Sequence, residues 1–474
     1  MTRRIISFVM PVAVLAILTA GQAEAKSYKS YSDVPVPAIQ WQPPKYEEFA
    51  LPNGLSGVVV EDHEVPLVNF YLLFPAAPDP VEKIGLADMT SWTLRNGGSV
   101  NISADSLNQI VEYKSGNIWI GGGDEYLSIW GNCLSEDLPL FLSLTRDLLE
   151  NPTYPEDKIE LHKGSVIEDI RRKNDEARGI ARRELFKIIY KDHPWGREAT
   201  ETTVKDLTRN DLLAYHKTVI RSDGVVIGLS GDLDLSTAKK LSGEYFGGLK
   251  QGTEVIGKIP QAGPAPTPGL YYAYKDINQA FISIGHRSIS YDDPRRYAAD
   301  IMNYVLGGGG FQSILMKRIR VDAGLSYGVG TAISTPIGVE GSFRGSTSTR
   351  LDQAGRTLAI LKETIAKFVA EGPTREEFQQ SKDAFVNSFV WRTESASDIL
   401  GETVYNKWRK LPLDTPQRDL AGYQKLTYED VVAAARELIQ PDKLVIVVVG
   451  NKDKLDRPLE DFGTVHTIDL KAQQ

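Results

Sequence analysis

The histidines set the first limit on chemistry. There are six, and no two of them lie closer than 23 residues, the separation of His193 and His216. A helical zinc motif needs two imidazoles one turn apart on one face; no local pair of that kind exists. The lone Cys133 can neither close an intrachain disulfide nor build a cysteine-rich zinc site. Two glycine-containing stretches offer other chemistry. Gly324-Leu325-Ser326-Tyr327-Gly328 fits the G-x-S-x-G nucleophile pattern, but that elbow needs a strand before the serine and a helix after it. In this chain a helical pattern precedes and a β-like run, Val329 to Ser334, follows, so the context is reversed. Leu306-Gly307-Gly308-Gly309-Gly310-Phe311 lacks the Lys-Ser/Thr that completes a P-loop. Bare backbone of this kind suits either close approach by an extended peptide or a structural turn.

These residues must be positioned by a repeated architecture. Leu207-Thr208-Arg209-Asn210-Asp211 and Leu426-Thr427-Tyr428-Glu429-Asp430 each open a helical pattern, 219 residues apart. Each is followed by an apolar strand ending in glycine, at Gly231 and Gly450, again 219 apart. Asn151-Pro152-Thr153 and Gly372-Pro373-Thr374 both separate two helical patterns, offset by 221. Three matches in order and nearly in phase indicate a duplicated unit of about 200 residues. Between the copies, residues 251–269 hold Pro260, Pro264, Pro266 and Pro268 and read as an extended linker.

Within a copy the order is α+β. Leu55–Val60 and Val68–Phe74 are strand-like, Gly85–Leu94 is a short helix, and Ser103 caps another that presents Leu107, Ile110 and Val111. Asn117–Ile120 and Tyr126–Trp130 form a hairpin pattern, and Leu138–Leu149 and Glu156–Arg172 are long helices. The second copy follows with a helix Arg296–Leu306, a helix from Gln312 to about Asp322 closed by Gly324, strands around 327–334 and 338–346, and helices from Asp352 and Arg375. The expected fold is two homologous layered α+β domains, 40–250 and 270–460, each a mostly antiparallel sheet with helices packed on one face.

At the N-terminus, Arg3 and Arg4 precede an apolar run from Ile5 to about Leu18 and the small-x-small site Ala23-Glu24-Ala25. Residues 1–25 therefore read as a secretory signal, with an uncleaved anchor as the alternative. Lys26, not Cys, follows, which argues against a lipoprotein. The signal is of bacterial type, so the expectation is a periplasmic protein with no membrane attachment after cleavage. A formal net charge of −8 carries no basic footprint for nucleic acid. With 42% hydrophobic and 24% charged residues, wholesale disorder and a multi-span membrane protein are excluded.

The sequence resembles the pitrilysin/insulinase-type zinc peptidases, a family that includes mitochondrial processing peptidase. Leu51-Pro52-Asn53-Gly54-Leu55, Glu61-Asp62-His63, Pro66-Leu67-Val68, Gly85-Leu86-Ala87 and His193-Pro194-Trp195-Gly196 carry the likeness, which runs from about Trp41 to Asp453 and includes the duplication. The family's H-x-x-E-H window is similar to Asp88-Met89-Thr90-Ser91-Trp92, so Asp88 and Trp92 stand at the histidine positions and Ser91 at the general base. The distant third ligand falls at Asp169. One carboxylate cannot hold zinc, so no metal is expected in this chain, and Trp92 is expected to fill the vacated space.

What the resemblance keeps lies in the second half. Gly307, Gly308, Gly309, Gly310 and Phe311 are similar to a flexible substrate-binding loop, and Arg320 and Tyr327, seven residues apart, to the family's Arg–Tyr pair. A guanidinium can grip a peptide carbonyl, and a phenol can donate to a developing oxyanion. Some members of the family split these duties between two unlike subunits. The resemblance accordingly implies the non-zinc subunit of a heterodimeric metalloendopeptidase acting on extended peptides, its zinc expected in a homologous partner carrying H-x-x-E-H. An inert pseudopeptidase serving as a peptide binder or scaffold is the alternative.

Overall fold

The computed structural model describes residues 41–252 and 258–470; the signal segment and part of the linker lie outside the described residues. Six strands make the first sheet: β1 (Glu47–Ala50), β2 (Ser56–Glu61), β3 (Leu67–Pro75), β4 (Asn117–Gly122), β5 (Tyr126–Leu134) and β6 (Val226–Gly231). Their spatial order is β1-β2-β6-β3-β5-β4. The second sheet holds β7 (Gly269–Tyr274), β8 (Gln279–Arg287), β9 (Val329–Ile333), β10 (Ser342–Arg350), β11 (Val445–Gly450) and β12 (Val465–Ile468), in the order β12-β7-β11-β8-β10-β9. Apart from the outermost strands β1 and β12, each strand occupies the place of its counterpart in the other copy. Most neighbours are antiparallel; β2–β6, β7–β11 and β7–β12 are parallel, so each sheet is mixed.

Local chemistry accounts for most boundaries. Thr208 and Asp211 form a reciprocal capping box at the start of the Arg209–Val219 helix, and Thr427 and Asp430 repeat it before Tyr428–Leu438. Ser103 caps Ala104–Tyr113 by accepting from the Ser106 amide. In β3, Val68, Phe70, Leu72 and Phe74 point into the main core of the first half, while Leu73 points to the opposite face. Several expected spans shift. The helix beginning at Arg296 is regular only to Asn303 and then widens to a π-turn at Tyr304–Gly308. The next begins two residues late, at Ile314, and is π-wound over Met316–Asp322. β10 starts at Ser342 rather than 338, because Gly338 sits at φ +73° in a turn.

The main core of each half lies between its sheet and its own helices. The opposite face is covered by exchange, a feature beyond the expected helices on one face. The first-half helix Ala177–Tyr190 sets Ile180, Leu185 and Ile189 against Val445, Val447 and Val449 of the second sheet. The second-half helix Ala396–Trp408 sets Leu400 and Val404 against Val58, Val60, Leu73 and Val226 of the first. These helices begin 219 residues apart, the offset of the sequence repeat. The described residues from Trp41 onward accordingly form one compact unit. Gly228 lies directly beneath the second of them, where a Cβ would stand 2.4 Å from the Val404 Cγ2.

Candidate functional site

The helix Leu86–Gly97 carries the window where a zinc motif would stand. Its start is fixed by Asp79, whose carboxylate accepts from the Gly85 amide at 2.8 Å and the Ala87 amide at 3.0 Å. Gly85, at φ +105°, turns the chain into the helix. Burial nonetheless raises the Asp79 pKa above the usual carboxylate range.

Asp88 does not stand alone. Its Oδ2 lies 3.0 Å from Nε2 of His162, which projects from the Glu156–Arg172 helix and is nearly buried. The Trp92 indole stacks on the same imidazole, centroids 4.3 Å apart and planes parallel within 1°. Ser91 is buried, donates to the Asp88 carbonyl at 3.0 Å, and faces Gly122 of β4. Asp169 lies two helical turns beyond His162; it is exposed and has no hydrogen bond or ion pair to Asp88 among the described residues. The space between the two helices is therefore filled by an Asp–His–Trp contact. These groups do not fit a zinc ion: one carboxylate and one imidazole converge, the imidazole nitrogen is already engaged by the carboxylate, and an indole covers the ring. No group of three or more His, Cys, Asp or Glu able to hold a metal occurs among the described residues.

His162 was not singled out by the sequence. The signal available was periodic: Ile159, His162, Lys163 and Ile170 are the buried positions of its helix, on the face turned to the neighbouring helix.

The second cluster is built by the turn around Gly324, which adopts φ +63°. That left-handed turn brings the end of the π-wound helix against the approach to β9. Arg320 donates from Nη1 to the Tyr327 carbonyl oxygen at 2.8 Å. Its guanidinium carbon lies 4.5 Å from the ring centroids of both Phe311 and Tyr327, so the cation sits against two aromatic faces. Tyr327 is 85% exposed and Phe311 63%. The Tyr327 hydroxyl has no partner among the described residues.

The glycine run divides. A Cβ at Gly307 would stand 2.4 Å from the Thr331 Oγ1, so Gly307 lets the loop close on β9. Cβ atoms at Gly308 and Gly309 would meet Asn303 and Tyr304, whereas Gly310, at φ +61°, faces open space. The structural-turn reading thus fits Gly307, and Gly310 with Phe311 forms the exposed tip. Ser326 is occupied by its own turn: it accepts from the Gly328 amide, donates to the Gly328 carbonyl and accepts from Thr347. No histidine reaches it among the described residues, so it lacks a base.

His193 orders the His193–Gly196 turn. Its Nδ1 accepts from the Trp195 amide at 3.2 Å and its Nε2 donates to the Pro260 carbonyl at 2.9 Å, which ties the turn to the linker. Burial lowers its pKa, consistent with a neutral ring.

Comparison with known proteins agrees with this architecture. Residues 206–385 match the family described as peptidase M16 inactive domain. A Helicobacter pylori protein named non-peptidase homolog YmxG is 25% identical over 446 residues, covering 93% of this chain and 98% of that one. A Bacillus subtilis protein named uncharacterized zinc protease YmxG is 23% identical, covering 74% of this chain and 85% of its own length. The crystal structure of a peptidase M16 inactive domain from Pseudomonas fluorescens superposes with a TM-score of 0.79 at 26% identity, covering 88% of this chain and all of that one. Fold and site together define a duplicated, metallopeptidase-like α+β protein. Over most of its length the chain is similar to M16-type proteins, the family match itself covering residues 206–385.

Proposed function

We propose that this chain is the substrate-binding, zinc-free subunit of a heterodimeric metalloendopeptidase that cuts extended peptides in the periplasm. In this reading a homologous partner chain with an intact H-x-x-E-H supplies the zinc site, and this chain supplies Arg320 and Tyr327. One contrast supports it: the metal window is closed by Asp88, His162 and Trp92, whereas Tyr327 stands exposed and is ordered by the half-buried Arg320. The unengaged N–H groups of Arg320 bind a peptide carbonyl, and the Tyr327 hydroxyl donates to the oxyanion that forms as that bond is attacked. The Phe311 ring, 4.5 Å from the guanidinium carbon, adds a second aromatic contact to it.

A second reading, an inert pseudopeptidase that binds peptides or scaffolds other chains, is favoured by the names of the matched domain and the Helicobacter pylori relative. Reconstitution with a zinc-bearing homologue separates the two. Hydrolysis of a quenched-fluorescence peptide should require both chains, and Tyr327→Phe should lower kcat about 10²–10³-fold with KM little changed. Arg320→Ala should also raise KM. If Tyr327→Phe keeps more than about half of the wild-type kcat, the hydroxyl serves no oxyanion and the scaffold reading stands.

A further inference from the structure

A cleft of about 430 Å³ opens between the exchanged helix Ala177–Tyr190, the His193–Gly196 turn and β10. Its charge runs against that of the chain. Arg182, Arg183, Lys187, Arg197 and Arg344 line it, against the one carboxylate of Glu198. Behind that lining, Glu184 lies 3.1 Å from Arg183 and 3.5 Å from Lys187 and adds one negative charge, while Lys173 adds one positive charge, so the excess stays at four positive charges in a protein of net −8.

The single carboxylate is already committed. Glu198 lies 2.8 Å from the Lys187 ammonium, 3.4 Å from Arg183 and 3.6 Å from Lys173. Arg183 also donates to the Lys173 carbonyl at 2.9 Å and the Asn174 side chain at 2.6 Å, and Arg197 donates to the Asp192 carbonyl at 2.7 Å. Arg182 and Arg344 are different: neither has a hydrogen-bond or ion-pair partner among the described residues. Arg344 is half-buried on β10, with its guanidinium carbon 4.9 Å from the Phe186 ring centroid. Its Nε is shut off from solvent and makes no hydrogen bond. Burial lowers its pKa, and the Arg182 charge adds to that.

A half-buried guanidinium beside a second like charge, with no acid between them, is destabilising unless something neutralises both. Guanidinium forks match tetrahedral and planar oxyanions through paired N–H groups. A surplus of four charges exceeds what one carboxylate can offset. We propose that this cleft is a binding site for a multivalent oxyanion of the phosphate class, gripped by Arg182 and Arg344 against the wall formed by Phe186 and Trp195. The site is independent of the Arg320–Tyr327 pair and does not rest on a peptidase role.

Calorimetric titration of the intact protein with inorganic pyrophosphate tests it, with inorganic phosphate and citrate as comparisons. The expected result is one saturable site, tighter for pyrophosphate than for phosphate or citrate, and weakened by added salt. Arg182→Gln, at an exposed position, should weaken pyrophosphate about tenfold or more. Arg344→Lys, which keeps the charge and loses the fork, should do the same, whereas Arg375→Gln on the exposed Arg375–Glu429 pair should not. Absence of a saturable site, or affinity unchanged in Arg182→Gln and Arg344→Lys, overturns the proposal. Citrate binding as tightly as pyrophosphate overturns the phosphate assignment.

Discussion

The exchange of helices between the halves can be tested with one methyl group. Gly228 lies in β6 beside Val58 of β2 and Tyr71 of β3, under the Ala396–Trp408 helix from the other half. In Gly228→Ala the new Cβ would be 2.4 Å from the Val404 Cγ2 and 2.7 Å from the Leu400 Cδ1, inside contact distance of two buried side chains. Neither can swing away freely, because Val404 is 0% and Leu400 3% exposed. Overpacking of this kind costs about 1–3 kcal/mol. Val404→Ala alone removes two buried methyls and should cost about 2–3 kcal/mol through lost transfer energy and a cavity. Independent effects would add. In the double variant, however, the alanine methyl at 228 occupies space that Val404 vacates, so the pair should be more stable than the sum by about 1–2 kcal/mol. Urea unfolding followed by circular dichroism gives all four stabilities, and the transition should stay cooperative because each sheet depends on a helix of the other half. Additivity within about 0.5 kcal/mol would refute the contact. A biphasic curve in which only one half responds would refute the exchange as a stabilising element.

Two further outcomes concern the metal window and a buried histidine. Installing Asp88→His, Ser91→Glu and Trp92→His in the isolated chain should give neither stoichiometric zinc nor robust peptidase activity. The glutamate enters a buried position facing Gly122, His162 loses its stacking partner and Asp169 is not drawn in, at a stability cost of about 2–4 kcal/mol; one tightly held zinc per chain with peptide hydrolysis would count against this. Acid should weaken the first half through His216, whose Nε2 donates to the Leu149 carbonyl and whose Nδ1 accepts from the Tyr154 hydroxyl. Burial pushes its pKa from 6.5 down to about 4, so the unfolded chain binds the proton first. Stability from the neutral ring is complete above about pH 6.5 and is lost as pH falls toward 4, by about 3 kcal/mol. Urea midpoints across that window should fall, and fall less in His216→Gln; parallel slopes would refute the assignment.

What could be read from the sequence, and what could not, divides by how local the cause is. The Thr208–Asp211 and Thr427–Asp430 boxes lie within one helical turn, so their 219-residue spacing exposed the duplication before any tertiary contact was known. The Arg320–Tyr327 neighbourhood was legible for the same reason, because Gly324 fixes the turn between them; the Phe311 ring against Arg320 was not. Loss of the metal window is likewise a local substitution. Its replacement is not: Asp88 and His162 are 74 residues apart, and only the crossing of two helices brings them to 3.0 Å. The exchanged helices have one signature in the sequence. Val445-Ile446-Val447-Val448-Val449 has no polar alternation, so both faces of β11 require cover, and one layer of helices supplies only one. The same exchange accounts for the basic cleft. A first-half helix laid on the second sheet brings the Arg182 and Arg344 charges together across 162 residues of chain. A helix periodicity or a strand alternation places each arginine on its own surface and assigns it to solvent. Only the crossover makes them a pair.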